Sequence, residues 1–384
     1  MGPSSIRVSL KVGKTVPAAA PALLMNALQE VRVTYTDRGM AGGFQLTFSL
    51  QRGAGMASDY PLLSSPLLKP FNRVILSVTL NGTAQVLIDG MITNQQVTPA
   101  VGGSDGTLTV TGEDLSVLMD MLDLSMEYPA MGDYLIVLAV LAKYLVFGVI
   151  PEAIPPLSMP IADPLERVAQ QDGTDLQYIR KLAGKYGYVF YLTPGPTEGA
   201  STAYWGPPFN PRRLLAPQKA LSVDMGPATN VNSLNFTYDA LQPTMVYGAV
   251  SDLLTEMIVP VVTFTSTRIP PMASEPALLF NQPYGRKELL RQEGMDALTA
   301  LIQAQSITDQ STDQVVTASG EVDSLRYGAM LQPGRRVGVR GAGGSFDGDY
   351  YIQQVTHSLS LGQYKQSFSL SREGTGSLTS TVTP

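Results

Sequence analysis

The stretch Asp172 to Leu192, DGTDLQYIRKLAGKYGYVFYL, constrains the fold more than any other in the chain. Thr174 followed three residues later by Gln177 is a capping box, in which a hydroxyl accepts from an orphan amide and the glutamine side chain reaches back to the cap. A helix is therefore predicted to begin there. Leu176, Ile179, Leu182, Ala183 and Tyr186 recur at helical spacing on one face, while Gln177, Arg180, Lys181 and Lys185 fall outside it. Gly187 stands where a left-handed residue ends a helix, and Tyr188 to Leu192 switches to residues that favour a pleated surface. The unit reads as helix, stop, strand, with one helix face buried.

Around it the chain reads mainly as strands. Ile6 to Val12, Val31 to Tyr35 and Phe44 to Leu50 alternate apolar and polar residues. Arg73 to Leu80, the dipeptide Asn81-Gly82 and Thr83 to Ile92 spell a hairpin, because Asn-Gly supplies the positive φ angles of a two-residue turn. Thr107 to Thr111 adds a strand, and Glu113 to Leu122 is predicted as a short helix. Tyr134 to Ile150, YLIVLAVLAKYLVFGVI, is the most apolar run; Lys143 in its middle and its marginal length predict a buried helix, started by Gly132-Asp133, over a membrane span. Pro164 to Gln171 is predicted as another short helix, and PGPTEGAST after Leu192 as a surface loop.

Strands resume at Tyr204-Trp205-Gly206-Pro207-Pro208, which carries the only tryptophan, and continue with Leu221 to Met225, Ser233 to Tyr238 and Met245 to Val250. Val259 to Thr267 reads as a β-branched edge segment beside prolines. Glu288 to Ile302 is predicted as an amphipathic helix weakened by Gly294, before strands at Asp313 to Asp323, Arg335 to Arg340, Tyr350 to Leu359 and Tyr364 to Ser371. A strand, helix, strand and strand succession thus occurs twice, once around Glu113 and once around Glu288, with the insertion between. The expected fold class is α+β, mainly β: a first β-barrel domain over 1–124, an α-rich insertion ending in strands over 125–220, a second β-barrel with one helix over 221–376, and a tail over 377–384.

Composition narrows the function classes. With 36 Gly and 28 Pro in 384 residues, turns and short strands are favoured over long helices. A net charge of -6 argues against sequence-independent nucleic-acid binding, which needs clustered Lys and Arg. The absence of Cys removes disulfides, thiolate metal sites and thiol nucleophiles, and His357 is the single imidazole. The N-terminus has no apolar core of signal-peptide length, so the chain is expected to stay in the cytoplasm when made. Asn81-Gly82-Thr83 and Asn235-Phe236-Thr237 match the glycosylation pattern by chance in that setting.

Each catalytic pattern fails on its context. Gly102-Gly103-Ser104-Asp105-Gly106 matches G-x-S-x-G, but a strand follows where a nucleophile elbow needs a helix. Gly13-Lys14-Thr15 matches the end of a phosphate loop, yet its first glycine would fall at Val8. Asp347 and Asp349 offer too few oxygens for calcium and read as turn residues. His357 lies in phase with Tyr351, Val355 and Leu359 and is expected to pack on a half-buried sheet face. Glu113 with Asp114 favours capping over acid-base work.

Several of these stretches resemble the late control D family, the hub proteins of contractile phage tails and related injection particles: GEDLSVLMD at Gly112 to Asp120, DGTDLQYIRKLAGKYGY in the centre, and PGP with AYWGP from Pro194 and Ala203 onward. From Leu325 to Glu373, LRYGAMLQPGRRVGVRGAGGSFDGDYYIQQVTHSLSLGQYKQSFSLSRE is similar to the closing barrel of hubs from extracellular contractile injection systems. The resemblance implies a structural baseplate hub and not an enzyme. It implies a homotrimer with two tube-like barrels per subunit, adapting a trimeric spike to the hexameric tail tube. Partners implied are the tube or tube-initiator protein, other baseplate proteins and, because the chain ends at Pro384 without a needle, a separate spike protein. Nucleic acid and stable membrane insertion are not expected. The implied location is the bacterial cytoplasm during assembly and then the baseplate of a virion or released phage-tail-like particle. The alternatives are a hub of a type VI system or non-contractile tail, then a serine hydrolase or membrane-seated protein. The resemblance assigns no catalytic, cofactor-binding or metal-ligating residue and names no interface residue.

Overall fold

The computed structural model describes residues 6–14, 16–37, 42–51, 60–100, 105–156, 168–208, 217–251, 257–280, 284–291 and 297–378. The chain opens with β1 (Ile6–Gly13), β2 (Ala18–Ala19), helix α1 (Ala22–Ala27), β3 (Leu28–Thr36), β4 (Gly43–Leu50), the short α2 (Pro61–Ser64), β5 (Arg73–Leu80), β6 (Thr83–Thr98) and β7 (Gly106–Asp114). A 3₁₀ turn at Leu115–Asp120 leads into β8 (Asp123–Tyr128), α3 (Asp133–Ala142), a second 3₁₀ turn at Leu145–Phe147, β9 (Val149–Ala153), β10 (Ala169–Thr174), α4 (Asp175–Lys185), β11 (Val189–Pro194) and β12 (Ser201–Gly206). The remainder comprises β13 (Gln218–Ser222), β14 (Ser233–Tyr238), β15 (Thr244–Ser251), β16 (Ile258–Val262), β17 (Ala273–Pro276), α5 (Ala277–Phe280), β18 (Arg286–Leu289), α6 (Ala297–Thr312), β19 (Val316–Asp323), α7 (Ser324–Tyr327), β20 (Arg336–Arg340), β21 (Gly348–Ser360), β22 (Gln363–Arg372) and β23 (Gly374–Ser377).

The two β regions expected as separate barrels share one sheet. Its strand order is β14-β19-β22-β21-β3-β4-β7-β6-β5-β1-β2, with β20 and β13 branching from β21, and among the described residues no sheet closes into a barrel. The join is the antiparallel pairing of β3 with β21, which sets Val33 opposite His357 and Thr36 opposite Gln354. Side chains follow the backbone across it. Leu359, Tyr364 and Met330 from the second region belong to the core that holds Val33, Leu46, Phe48 and Leu76 of the first. The inner residues Leu221, Val316, Val337, Tyr350 and Phe368 form a second core on the far side.

The Asn81-Gly82 hairpin forms as expected, with φ of 52° and 84° at the turn. Four predicted helices differ from what forms. Glu113 and Asp114 finish β7, and only Leu115–Asp120 turns, as a 3₁₀ helix, because the buried Asp114 carboxylate caps it by accepting from the Ser116 amide. Of the predicted helix from Pro164 to Gln171, residues 164–167 lie outside the described ones, and Ala169 to Gln171 are in β10. They are drawn into strand form by pairing with β8 and by Gln171 accepting from the Tyr128 hydroxyl at 2.7 Å. The run Tyr134 to Ile150 stays helical only to Ala142 and then breaks into a turn and β9, which pairs parallel to β12.

Glu288 and Leu289 end β18, which lies parallel to β15. The helix there is α6, running on to Thr312 through QAQSITDQST, whose polar residues are satisfied by tertiary partners: Thr308 meets the Thr263 hydroxyl at 2.6 Å, and Asp309 accepts from the Thr267 amide and hydroxyl. The edge segment expected at Val259 to Thr267 is strand only over Ile258–Val262, at the edge of the β16-β15-β18 sheet.

The helical region has a core of its own. Trp205 lies at its centre, fully buried, with Tyr188 edge-on at 4.9 Å between ring centroids. Its β11–β12 hairpin tip is a surface loop as expected, exposed at Pro196, Thr197 and Glu198, and it also docks on the first β region. Glu198 pairs with Lys11 at 2.5 Å and accepts from Ser77 at 2.7 Å, and Arg73, held by Asp89 through two 2.6 Å bonds, donates to the Gly199 carbonyl.

Candidate assembly site

Those sequence patterns inviting chemistry that fall on described residues hold structural contacts; the others are untested. Ser104, Thr15 and Gly102-Gly103 lie outside the described residues. His357 is buried more completely than expected. Its Nδ1 faces the Tyr364 hydroxyl at 2.9 Å, and burial pushes the imidazole down to about 4, so it is neutral at pH 7 and shielded from substrate. In the GSFDGDYY turn, Asp347 accepts from the Ala342 amide at 2.7 Å and Asp349 pairs with Arg336 at 3.2 Å. The cation of this turn is Arg372. It is fully buried and donates to the carbonyls of Ser345, Asp347 and Gly376 while lying 4.4 Å over the Tyr350 ring. Burial raises the Asp349 carboxyl above its ordinary range, and Arg336 and Arg372 reverse only part of that shift. Asp114 accepts from the Gly42 amide at 2.6 Å as well as from Ser116, and burial likewise raises its carboxyl.

What the structure does build is a locked helical pair. Thr174 caps α4 by accepting from the Gln177 amide at 3.2 Å, as the capping box predicts, and its own hydroxyl donates to Asp120 at 2.5 Å. Leu176, Ile179, Leu182, Ala183 and Tyr186 are all buried as expected, and Gly187 is left-handed at φ 62°. Asp175, the first residue of α4, accepts from Lys143 Nζ at 3.2 Å, from the Tyr144 hydroxyl at 2.8 Å and from Gln171 at 2.8 Å. Asp133, the first residue of α3, accepts from Lys185 Nζ at 2.8 Å and from the Tyr186 hydroxyl at 2.6 Å. Each helix therefore begins with a carboxylate gripped by the Lys-Tyr pair that ends the other. Anions at helix starts and cations at helix ends both favour the helix dipoles. Burial, then the carboxylate bond, raises both Tyr144 and Tyr186 above the ordinary phenol range.

The symmetry runs deeper than the clamps. The buried residues of α3, Ile136, Val137, Val140 and Leu141, map onto Tyr178, Ile179, Leu182 and Ala183 of α4 when shifted by 42 positions, the shift that also carries Asp133, Lys143 and Tyr144 onto Asp175, Lys185 and Tyr186. The strands that precede the helices, β8 and β10, pair with each other, and those that follow, β9 and β11, flank β12. The legible signal was the spacing Asp-x₉-Lys-Tyr, present twice; periodicity alone did not reveal it. Lys143, which counted against a membrane span, is one of the clamp cations. No helix among the described residues is long and apolar enough to cross a membrane.

No protein-family model matches the chain, and no curated protein sequence does. Solved structures do. The fold is shared with the tail protein from Neisseria meningitidis MC58, at 16% identity and a TM-score of 0.62, covering 96% of this chain and 97% of that one. It is shared with the 43 kDa tail protein of prophage MuSo2 from Shewanella oneidensis, at 14% identity and a TM-score of 0.63, covering 96% and 99%. An Escherichia coli component of the type VI secretion system, itself similar to the T4 bacteriophage tail proteins gp27 and gp5, matches at 12% identity and a TM-score of 0.52, covering 89% and 73%. The fold is thus that of phage tail and secretion-particle proteins.

Proposed function

We propose that the chain is a structural baseplate hub of a contractile injection particle or phage tail, joining a trimeric spike to the hexameric tail tube. The observation that carries this reading is the fold match over nearly the whole length of two tail proteins. The continuous sheet supports it, because the pairing of β3 with β21 joins the two β regions into one sheet, so that both can be presented together. In this reading 1–124 and 221–376 are the two tube-facing domains and 125–220 is the insertion between them. Three copies then offer six such bodies, and closed rings satisfy every repeated contact. The role is mechanical and not catalytic, and the partners are the tube, other baseplate proteins and a spike. A type VI hub is the second reading, favoured by the Escherichia coli neighbour. Light scattering of the purified chain, alone and with a candidate spike, followed by imaging of the particle end, tests both. A trimer that caps tubes is expected, and a stable monomer that binds neither tube nor spike overturns the hub.

A further inference from the structure

The two helical units supply an internal control. In the second, the turn after Lys185 and Tyr186 is covered by the chain itself: Ser306 of α6 donates to the Gly184 carbonyl at 3.2 Å, and Arg268 donates to the Gly187 carbonyl at 2.9 Å. A helix and an arginine close that end. In the first unit the equivalent turn, after Lys143 and Tyr144, is open, with Leu145, Val146 and Phe147 exposed by 53%, 80% and 41%. The β8 approach lies at the same end of the pair, because Asp120 is bound by Thr174, the neighbour of the clamp residue Asp175. Met121 and Leu122, which follow Asp120, are exposed by 50% and 64%. Beside them a shallow groove between β8 and β10 is lined by Asp123, Leu124, Ser125, Asp172 and Gly173. Among the described residues no cation pairs with Asp123 or Asp172, and the sequence carries no Lys, Arg or His between Arg73 and Lys143.

We propose that this end of the helical pair is a docking surface for an amphipathic helix of a partner protein, with its apolar side over Leu122, Leu145 and Val146 and an arginine or lysine in the groove between Asp123 and Asp172. The kind of occupant follows from the second unit, where a helix and an arginine cover the equivalent turn. Charge narrows it further. An anionic membrane surface is repelled by the two carboxylates, and the same face of a second copy would set carboxylate against carboxylate. The inference does not depend on the tail reading, since it requires only a partner helix.

The test is a fluorescein-labelled stapled helix of about 16 residues, roughly 24 Å long, with leucines on one face and arginines on the other. It is titrated onto the full chain at low and high salt, and hydrogen exchange locates the contact. Expected are salt-sensitive binding, protection over 121–126 and 143–149, and roughly tenfold weaker binding to Asp123→Asn/Asp172→Asn and to Val146→Ser. The arginine-to-glutamate peptide should not bind. If the double variant fails to melt like the parent, Val146→Ser alone decides. The proposal is overturned by undiminished binding to the folded variants, by protection elsewhere, or by equal binding of the glutamate peptide. It is equally overturned by self-association or anionic-vesicle binding that Val146→Arg or Val146→Ser abolishes.

Discussion

Helices α3 and α4 share a clamp, a buried set and a position, yet their outer faces differ. On α4 the outward residues are polar or small: Gln177, Lys181 and Gly184. On α3 they are Leu135, Ala139 and Ala142, and the apolar character continues into Val146 and Ile150. A helix that is apolar all round is ordinarily buried all round. The inner faces thus report how the pair holds itself together, and the outer faces report what each half meets. The difference teaches that a fold can repeat a lock while changing what the lock presents.

The largest effect expected is on the shared inner face. Leu182→Ala should cost about 2 to 5 kcal/mol through the cavity it leaves, against about 1 for Thr174→Ala through the lost cap. Thermal melting of both reads this, and equal shifts would contradict a buried Leu182 and with it the matched faces.

Next comes acid, which separates the helical pair from the sheet seam. The unfolded His357 takes a proton near 6.5 and the folded one only near 4. Its contribution is therefore present in full above about 6.5 and is lost as pH falls towards 4, by roughly 3 kcal/mol in all. Denaturant titrations of His357→Gln should lack that component. If they keep it, the acid sensitivity belongs elsewhere.

The clamps follow. Asp175→Asn should destabilise by about 1.5 to 3 kcal/mol, because hydrogen bonds to a charged acceptor are lost where water cannot replace them. Asp133→Asn should cost less, since its side chain is 14% exposed against 3% for Asp175. Reversal of this order in urea melts would break the equivalence of the two ends. Smallest of all, Val146→Ser should change stability by no more than about 0.5 kcal/mol, as an exposed side chain makes few contacts to lose. A large loss would mean that Val146 is already covered within the chain.

Much of this architecture is legible in the residues, and the misses share a cause. Strands with strict alternation, such as Phe44 to Leu50, and the Asn81-Gly82 turn follow from local chemistry and form as read. So does the capped α4, because its cap, stop and buried face are all contiguous. Ala169 to Gln171 and the stretch from Glu288 did not, because distant partners decided their form: β8 for the first and β15 for the second. The barrels gave way to one sheet for the same reason, as nothing local in Val31 to Tyr35 announces Val355 to Leu359 as its neighbour. The clamps leave a repeated spacing in the sequence, but the bond from Asp175 to Lys143 spans an intervening β9, so only the folded chain brings its two ends together.

The seam between β3 and β21 also sets a timetable for the nascent chain. Thr36 waits for Gln354, more than 300 residues later, before that side of the strand is occupied. At synthesis rates of about 5 to 20 residues per second this leaves the outer rim of the first β region without its neighbour for roughly 15 to 65 s. An open strand rim is a template for pairing with another chain. On a crowded polysome, neighbouring nascent chains display the same rim at once, so the interval before β21 emerges is when mispairing between copies competes most directly with completion of the sheet.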